Sequence, residues 1–454
     1  MTTTATDTEA LRQEAAATVD TIADRLSDPD RVAALGSAVP HGAEAASEPY
    51  PASWSSLGLS DSYSGVALLY AELTHAGDEP DHTYRALVHD YLSRAVNAPE
   101  GVRATGLGLH YDAPSLAFTA TCAGTRTADF SRLGRQLDDL TAPGIERMIA
   151  RLRSALRDSG TLRTWQDHDI ITGLTGVGRL LLLRHGRHTG SREALDAVLG
   201  LLTTVATAPD GMVDGTPITP WYATEDQIGR WPEEPGVANL GTAHGIAGPL
   251  ALLACARRDG VTVPRMEEAA DRIARLYFEH RMVDELGPFW PDGLSVENGS
   301  VVPFPQRRRR DAWCYGAFGV ARALHMAGVA FGRPDWVGEA TAAARGAVRS
   351  VEERSLVTDF SLCHGWAGIL HVVRCMALDT DDPELASATG RLAGRVLEGF
   401  DPSSPFGYQD KSIVPVEANR PGFLQGAAGI ALALHGFATG RPSVTRWEAA
   451  LMLD

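Results

Sequence analysis

The sequence predicts an all-α protein, an α/α toroid with about seven inner and seven outer helices and long loops at its mouth. Three observations predict it. A short Gly-x-x-Gly motif recurs along the chain, the run after each copy is apolar on nearly every face, and amphipathic segments separate the runs.

The clean copies are GLTGVGRLLLL from Gly173, GIAGPLALLA from Gly245, GAFGVARALHM from Gly316, GWAGILHVV from Gly365 and GAAGIALAL from Gly426. They start 72, 71, 49 and 61 residues apart. A looser copy, SYSGVALLYAEL, begins at Ser62, and a degenerate one, SLAFTATC, lies near Ser115. A helix apolar all round is buried on all sides. The first glycine suits a tight turn and the second a close backbone approach. Between these runs, 264–280 carries Met266, Ala269, Ile273, Leu276 and Tyr277 at helical spacing, and 334–354 is a second such segment. Apolar helices inside and amphipathic ones outside let about seven units close on themselves. An open solenoid would need polar end units, and the last unit, FLQGAAGIALALHG, is as apolar as the others. Residues 1–50 read as an N-terminal helical segment packed on the ring formed by 51–454. Two Pro-, Gly- and Trp-rich connections, 208–240 and 283–313, read as ordered mouth loops with short hairpins.

A formal net charge of −16 repels polyanions, which excludes nucleic acid as an expected partner. The polar, acidic N-terminus lacks the basic start and apolar core of a signal peptide. No stretch has the length of apolar residues that spans a bilayer. A cytoplasmic protein with reduced thiols is therefore expected. Of the five cysteines, Cys122, Cys255 and Cys375 read as small core hydrophobes.

The residue before each Gly-x-x-Gly lies where an inner helix starts, and equivalent starts point to one end of the ring. These residues are Thr172, His244, Tyr315 after Cys314, His364 after Cys363, and Gln425. Cys314, Cys363 and His364 form a Cys₂His set for zinc, and three protein ligands leave the fourth tetrahedral position open. The nearby helix N-termini favour thiolates. His244 is either a fourth ligand that closes the site or a proton donor beside an open one. Asp169, four residues before its Gly-x-x-Gly, either caps its helix or faces the same mouth.

Together, HDIITGLTG, NLGTAHGIAG, RDAWCYGAFG, LCHGWAG and PGFLQGAAG resemble the lanthipeptide cyclase family, from roughly residue 55 to the C-terminus. The second repeat, around 105–125, departs by losing its Gly-x-x-Gly. The resemblance implies a toroid holding a catalytic zinc, with Cys314, Cys363 and His364 as ligands. It also implies Asp169 as the active-site aspartate, His244 as the catalytic histidine and Arg310 as the active-site arginine. The implied substrate is a precursor peptide whose Ser or Thr residues a separate dehydratase has already dehydrated. No dehydratase-like segment precedes residue 55, so a standalone cyclase is expected. The implied reaction is addition of a peptide cysteine thiol, ionised at zinc, to the alkene to give lanthionine or methyllanthionine. On this resemblance His244 would protonate the enolate at the α-carbon, Asp169 would orient a nearby donor, and Arg310 would stabilise the enolate oxygen or a substrate carbonyl. Arg307 to Arg309 read as a solvated basic loop.

Two other readings compete. A protein that merely captures thiols such as glutathione would carry the same metal site. A protein prenyltransferase subunit also activates a peptide cysteine on zinc, but its isoprenoid funnel needs aromatic inner helices, and aromatics make up only 7% of this chain.

Overall fold

The computed structural model describes the chain except residues 1–4, 39–53, 78–79, 100–101, 103–105, 126–129, 186–188, 225–235, 309–310, 355 and 411–416. The helices begin with α1 (Ala5–Arg25), α2 (Pro29–Gly36), α3 (Tyr63–Leu73), α4 (His82–Val96) and α5 (Ala113–Ala123). Then come α6 (Ser131–Ser159), α7 (Leu174–Arg184), α8 (Thr189–Thr207), α9 (Ala247–Arg258) and α10 (Met266–Glu279). The last are α11 (Ala317–Phe331), α12 (Pro334–Arg354), α13 (Trp366–Thr380), α14 (Pro383–Glu398) and α15 (Ala427–Thr439). Each repeat-marked apolar run is a helix, giving α3, α5, α7, α9, α11, α13 and α15, and amphipathic helices alternate with them. In α3, every residue from Ser64 to Leu73 is buried. The two amphipathic segments read from spacing are α10 and α12, and Met266, Ala269, Ile273 and Tyr277 lie on the buried face of α10.

The repeated motif has a mechanical explanation. Helices α7, α13 and α15 start on a glycine that offers no side-chain cap. Their first-turn amides bond instead to carbonyls seven residues back. Trp366, Ala367 and Gly368 donate to Asp359, Phe360 and Ser361, and Ala427, Ala428 and Gly429 donate to Arg420, Pro421 and Gly422. Thr175 and Gly176 donate to His168 and Asp169 in the same way. Each lead-in loop is thus a lasso lying over the helix end it caps. The second glycine lies where the lasso closes. A Cβ at Gly319, Gly368 or Gly429 would lie 2.1, 2.0 or 1.8 Å from the carbonyl oxygen of Trp313, Leu362 or Phe423, six residues earlier. Helix α5 forms without the motif, with Asp112 before it and a proline in its first turn.

The chain divides into two compact units. The first comprises residues 1–140 and 355–448. In it α3 packs on α4, α5 and α15, and α13 packs on α14 and α15. Helix α1 packs on α14 and α15, burying Ala15, Val19, Ile22 and Ala23 at helical spacing. The outer partner of the last apolar helix is therefore the first helix of the chain. A buried ionic triad ties the loop before α3 to that before α15. Arg420 reaches Asp61 at 2.7 Å and Asp410 at 2.5 Å, and the Gly422 amide donates to Asp61.

Burial pushes the Asp61 carboxyl up to about 6, against the pull of Arg420. A folded-state pKa above the unfolded value favours folding at low pH, and that contribution is lost as pH rises through about 6. Arg420→Met removes the group that offsets burial. We expect a loss of roughly 3–5 kcal/mol at pH 8, where two carboxylates are left unpaired. Part of the loss should be recovered at pH 5, where Asp61 takes up a proton. Denaturant titrations at the two pH values measure both effects, and an equal loss at both would contradict this account of the triad.

The second unit comprises residues 141–354 and 449–454. Here α9 packs on α7, α10 and α11, α8 on α7 and α10, and α12 on α11. The long connections fold into short antiparallel strands. These are β1 (Gly211–Val213), β2 (Thr216–Ile218), β3 (Ala238–Asn239), β4 (Met282–Asp284), β5 (Gly287–Phe289), β6 (Gly293–Glu297) and β7 (Ser300–Phe304). β1 pairs with β2, β4 with β5, and β3, β6 and β7 form a sheet in that order. Asp214-Gly215 and Asn298-Gly299 turn two hairpins with positive φ at both residues, as two-residue hairpins prefer. The final segment lies in this unit, where Trp313 Nε1 donates to the Leu451 carbonyl and Arg322 to that of Leu453. Cys122, Cys255 and Cys375 are buried and form no disulfide. Among the described residues, no helix is long and apolar enough to cross a membrane.

Candidate functional site

The lassos carry the candidate residues, and within each unit successive lassos interlock through their backbones. In the second unit the Ile170 amide donates to the Ala243 carbonyl, and the amides of Thr242 and Ala243 donate to the Cys314 carbonyl. In the first, Cys363 donates to Leu424 and Phe423 to Leu59. This stitching fixes the lassos against one another before any side chain is considered.

His244 and Asp169 meet. His244 Nδ1 lies 2.6 Å from Asp169 Oδ2, with the histidine side chain 18% exposed and the aspartate fully buried. The other oxygen, Oδ1, accepts from the amides of Thr172 and Gly173 and from the Thr172 hydroxyl. Asp169 is not the N-cap of α7, which falls on Gly173, but it ties the loop leading into that helix and meets His244. An ionised carboxylate only accepts, so the His244 proton sits on Nδ1 and Nε2 is left for exchange. The Trp165 ring backs His244 at 5.1 Å between centroids. His168, next to Asp169 in sequence, is fully buried, and burial pushes its pKa down to about 4, so it is neutral.

Cys314 is buried, outside any disulfide, in the lasso before α11. Gly316 there has φ +87°, so this glycine is required by conformation. Asp311 Oδ1 accepts from the Ala317 amide, and Oδ2 lies 3.2 Å from Arg308. Arg308 also pairs with Asp284 at 3.0 Å and donates to the carbonyls of Gly287 and Pro288. This corrects the reading of Arg307 to Arg309 as a solvated basic loop. Arg307 is exposed, but Arg308 is buried and bonds the β4–β5 hairpin to the lasso of Cys314. Four consecutive arginines gave no sign of which one turns inward. Arg309 and Arg310 lie outside the described residues.

Cys363 and His364 are half-buried in the lasso before α13, and Cys363 is in no disulfide. His364 Nε2 lies 2.7 Å from Asp359 Oδ2. Asp359 Oδ1 accepts from the Ser361 amide, and the Ser361 hydroxyl accepts from the His364 amide. Burial pushes the Asp359 carboxyl up, but the His364 imidazole and the Ser361 amide pull it further down, leaving it below the usual range. The expectation that the helix N-terminus stabilises a nearby thiolate meets a local obstacle. The first-turn amides of α13 are already taken by Asp359, Phe360 and Ser361. Of the other residues preceding the motif, Thr172 bonds Asp169, Tyr315 accepts from Asn239 Nδ2 at 2.9 Å, and Gln425 is half-buried.

The sequence model of the family described as "Lanthionine synthetase C-like protein" matches residues 53–452. Nisin biosynthesis protein NisC of Lactococcus lactis subsp. lactis is 26% identical over 296 residues, or 63% of this chain. That alignment spans 64% of the relative's length, a little under two thirds. Among solved structures, nisin cyclase matches with a TM-score of 0.69 at 22% identity, covering 88% of this chain and 92% of that one. The fold is accordingly the α/α toroid of that structure, as the repeats predict.

Proposed function

The chain belongs to the lanthionine synthetase C-like family, and from that premise we propose that it is a zinc-dependent lanthipeptide cyclase. It takes a precursor peptide bearing dehydroalanine or dehydrobutyrine, supplied by a separate dehydratase in the cytoplasm. It adds a peptide cysteine thiol across the alkene to form a lanthionine or methyllanthionine ring, as in lantibiotic biosynthesis.

Cys314, Cys363 and His364 are the proposed zinc ligands. Two cysteines outside any disulfide and one imidazole form a donor set suited to zinc, and three ligands leave a position for substrate. Because Asp359 lies against His364 Nε2, Nδ1 is the nitrogen proposed to take the metal. Bound there, zinc supplies the Lewis acidity that lowers the pKa of an incoming thiol.

The chain's own groups complete the addition. Attack at the β-carbon leaves an enolate that needs a proton at the α-carbon. His244, oriented through Nδ1 by Asp169, offers that proton from Nε2. Arg310 is proposed to stabilise the enolate oxygen.

The observation that carries this reading is the His244–Asp169 pair, in a loop whose amides hold the Cys314 carbonyl. A protein that only captures thiols has no use for an oriented proton donor. Incubation with a dehydrated, cysteine-containing peptide tests the proposal. Ring closure leaves mass unchanged, so the readout is loss of thiol alkylation. Alkylation persisting as it does in buffer alone would leave thiol capture as the function.

A further inference from the structure

Asp359 stands five residues before His364 and has no part in the ligand set, yet its placement resembles that of Asp169. In each lasso one carboxylate oxygen ties the loop. Oδ1 of Asp169 accepts from the Thr172 and Gly173 amides, and Oδ1 of Asp359 accepts from the Ser361 amide. In each the second oxygen lies close to a histidine ring nitrogen, at 2.6 Å in a hydrogen bond to His244 Nδ1 and at 2.7 Å in an ion-pair contact, not aligned as a hydrogen bond, to His364 Nε2. Both carboxylates are buried while both histidines keep one partly exposed side, 18% and 16%. Asp311, in the lasso of Cys314, shows the purely structural version, with its second oxygen directed to the Arg308 guanidinium.

Two further features fix Asp359 in place. A Cβ at Gly365 would lie 2.0 Å from Asp359 Oδ1, so glycine at that position lets the carboxylate approach the loop. The Asp359 carbonyl accepts from the Trp366 amide in the first turn of α13. The side chain is therefore anchored at its backbone and at one oxygen, and the other oxygen is presented to the imidazole.

Resting on the cyclase reading above, we infer that Asp359 is a positioning residue for the metal centre. It accepts the His364 Nε2 proton, selects the tautomer with a bare Nδ1, and directs that nitrogen to the zinc. A carboxylate behind a ligating histidine both orients the ring and raises its basicity, and losing such a partner costs about 10–100-fold in metal affinity.

The test uses Asp359→Asn, measured by zinc competition against a chromophoric chelator, with Cys314→Ala as the companion variant. Asparagine has one acceptor oxygen where both the Ser361 amide and His364 Nε2 need one. We expect zinc affinity to fall about 10–100-fold, with the far-UV spectrum and the melting point of the zinc-free protein unchanged. Asp359→Glu, which retains two acceptor oxygens, should recover part of the affinity. On the wild-type zinc-loaded protein, ¹⁵N-histidine NMR should show one zinc-responsive ring with a metal-bound Nδ1 and a protonated Nε2. This measurement decides the matter even if the variants fail to fold. If Cys314→Ala lost zinc but Asp359→Asn bound it like wild type, or if the responsive ring were bound through Nε2, the inference about Asp359 would be overturned and the cyclase reading kept. If Cys314→Ala retained full zinc affinity, the ligand set itself would be wrong.

Discussion

Cys314→Ala should lose bound zinc and reduce ring formation to the rate in buffer. The size of the effect comes from ionisation and positioning. A cysteine thiol with a pKa of about 8.5 is only about 3% thiolate at pH 7. Losing full ionisation alone therefore removes roughly 30-fold. Losing the fixed approach of sulfur to alkene removes considerably more, since oriented reactions gain effective molarities of about 10⁵ M and above. The pH dependence separates the two. As pH rises from 7 to 9 the free thiol ionises by itself, so the ionisation part of the deficit should close, leaving the positioning part. Metal analysis beside an alkylation time course checks the prediction. A variant that lost metal yet closed rings faster than buffer would contradict it. So would one that kept its metal.

His244→Asn should do the opposite to the metal and a comparable harm to the rate. Zinc content should match wild type, while kcat falls about 10²–10⁴-fold, the usual contribution of a positioned proton donor. That loss corresponds to roughly 3–5 kcal/mol of transition-state stabilisation. Asp169→Asn should lower kcat in the same direction by less, because the amide can still hold its loop through Thr172 and Gly173. The double variant should be little worse than His244→Asn alone, since Asp169 acts through His244 and effects within one unit do not add. Loss of zinc in His244→Asn would make His244 a fourth ligand, and the proton-donor role would fall.

Much of this was legible in the sequence, for identifiable reasons. The apolar helices announce themselves because burial on every side leaves no polar face, and Gly319, Gly368 and Gly429 are demanded by carbonyl oxygens about 2 Å from where a Cβ would be. Helix α5 was harder to read because Asp112 and a first-turn proline start it in place of the glycines. The pairing of α1 with α15 was hidden, since nothing in residues 5–25 names a partner more than 400 positions away. Asp169 and His244 were legible as candidates because repeat register brought both to helix starts. Their contact was not, because it depends on how one lasso turns. Asp359 and Arg308 were missed for the same reason. An aspartate five residues before a histidine, or one arginine among four, carries no signal until the loop's hydrogen bonds decide which way each side chain points.

The most direct test of the central claim is zinc K-edge absorption on the purified protein, before and after adding a dehydrated peptide with a free cysteine. The account predicts two sulfur ligands near about 2.3 Å and a nitrogen near about 2.0–2.1 Å in the resting protein, with a third sulfur once peptide is present. A protein without zinc, or a four-ligand protein shell that peptide leaves unchanged, would contradict it.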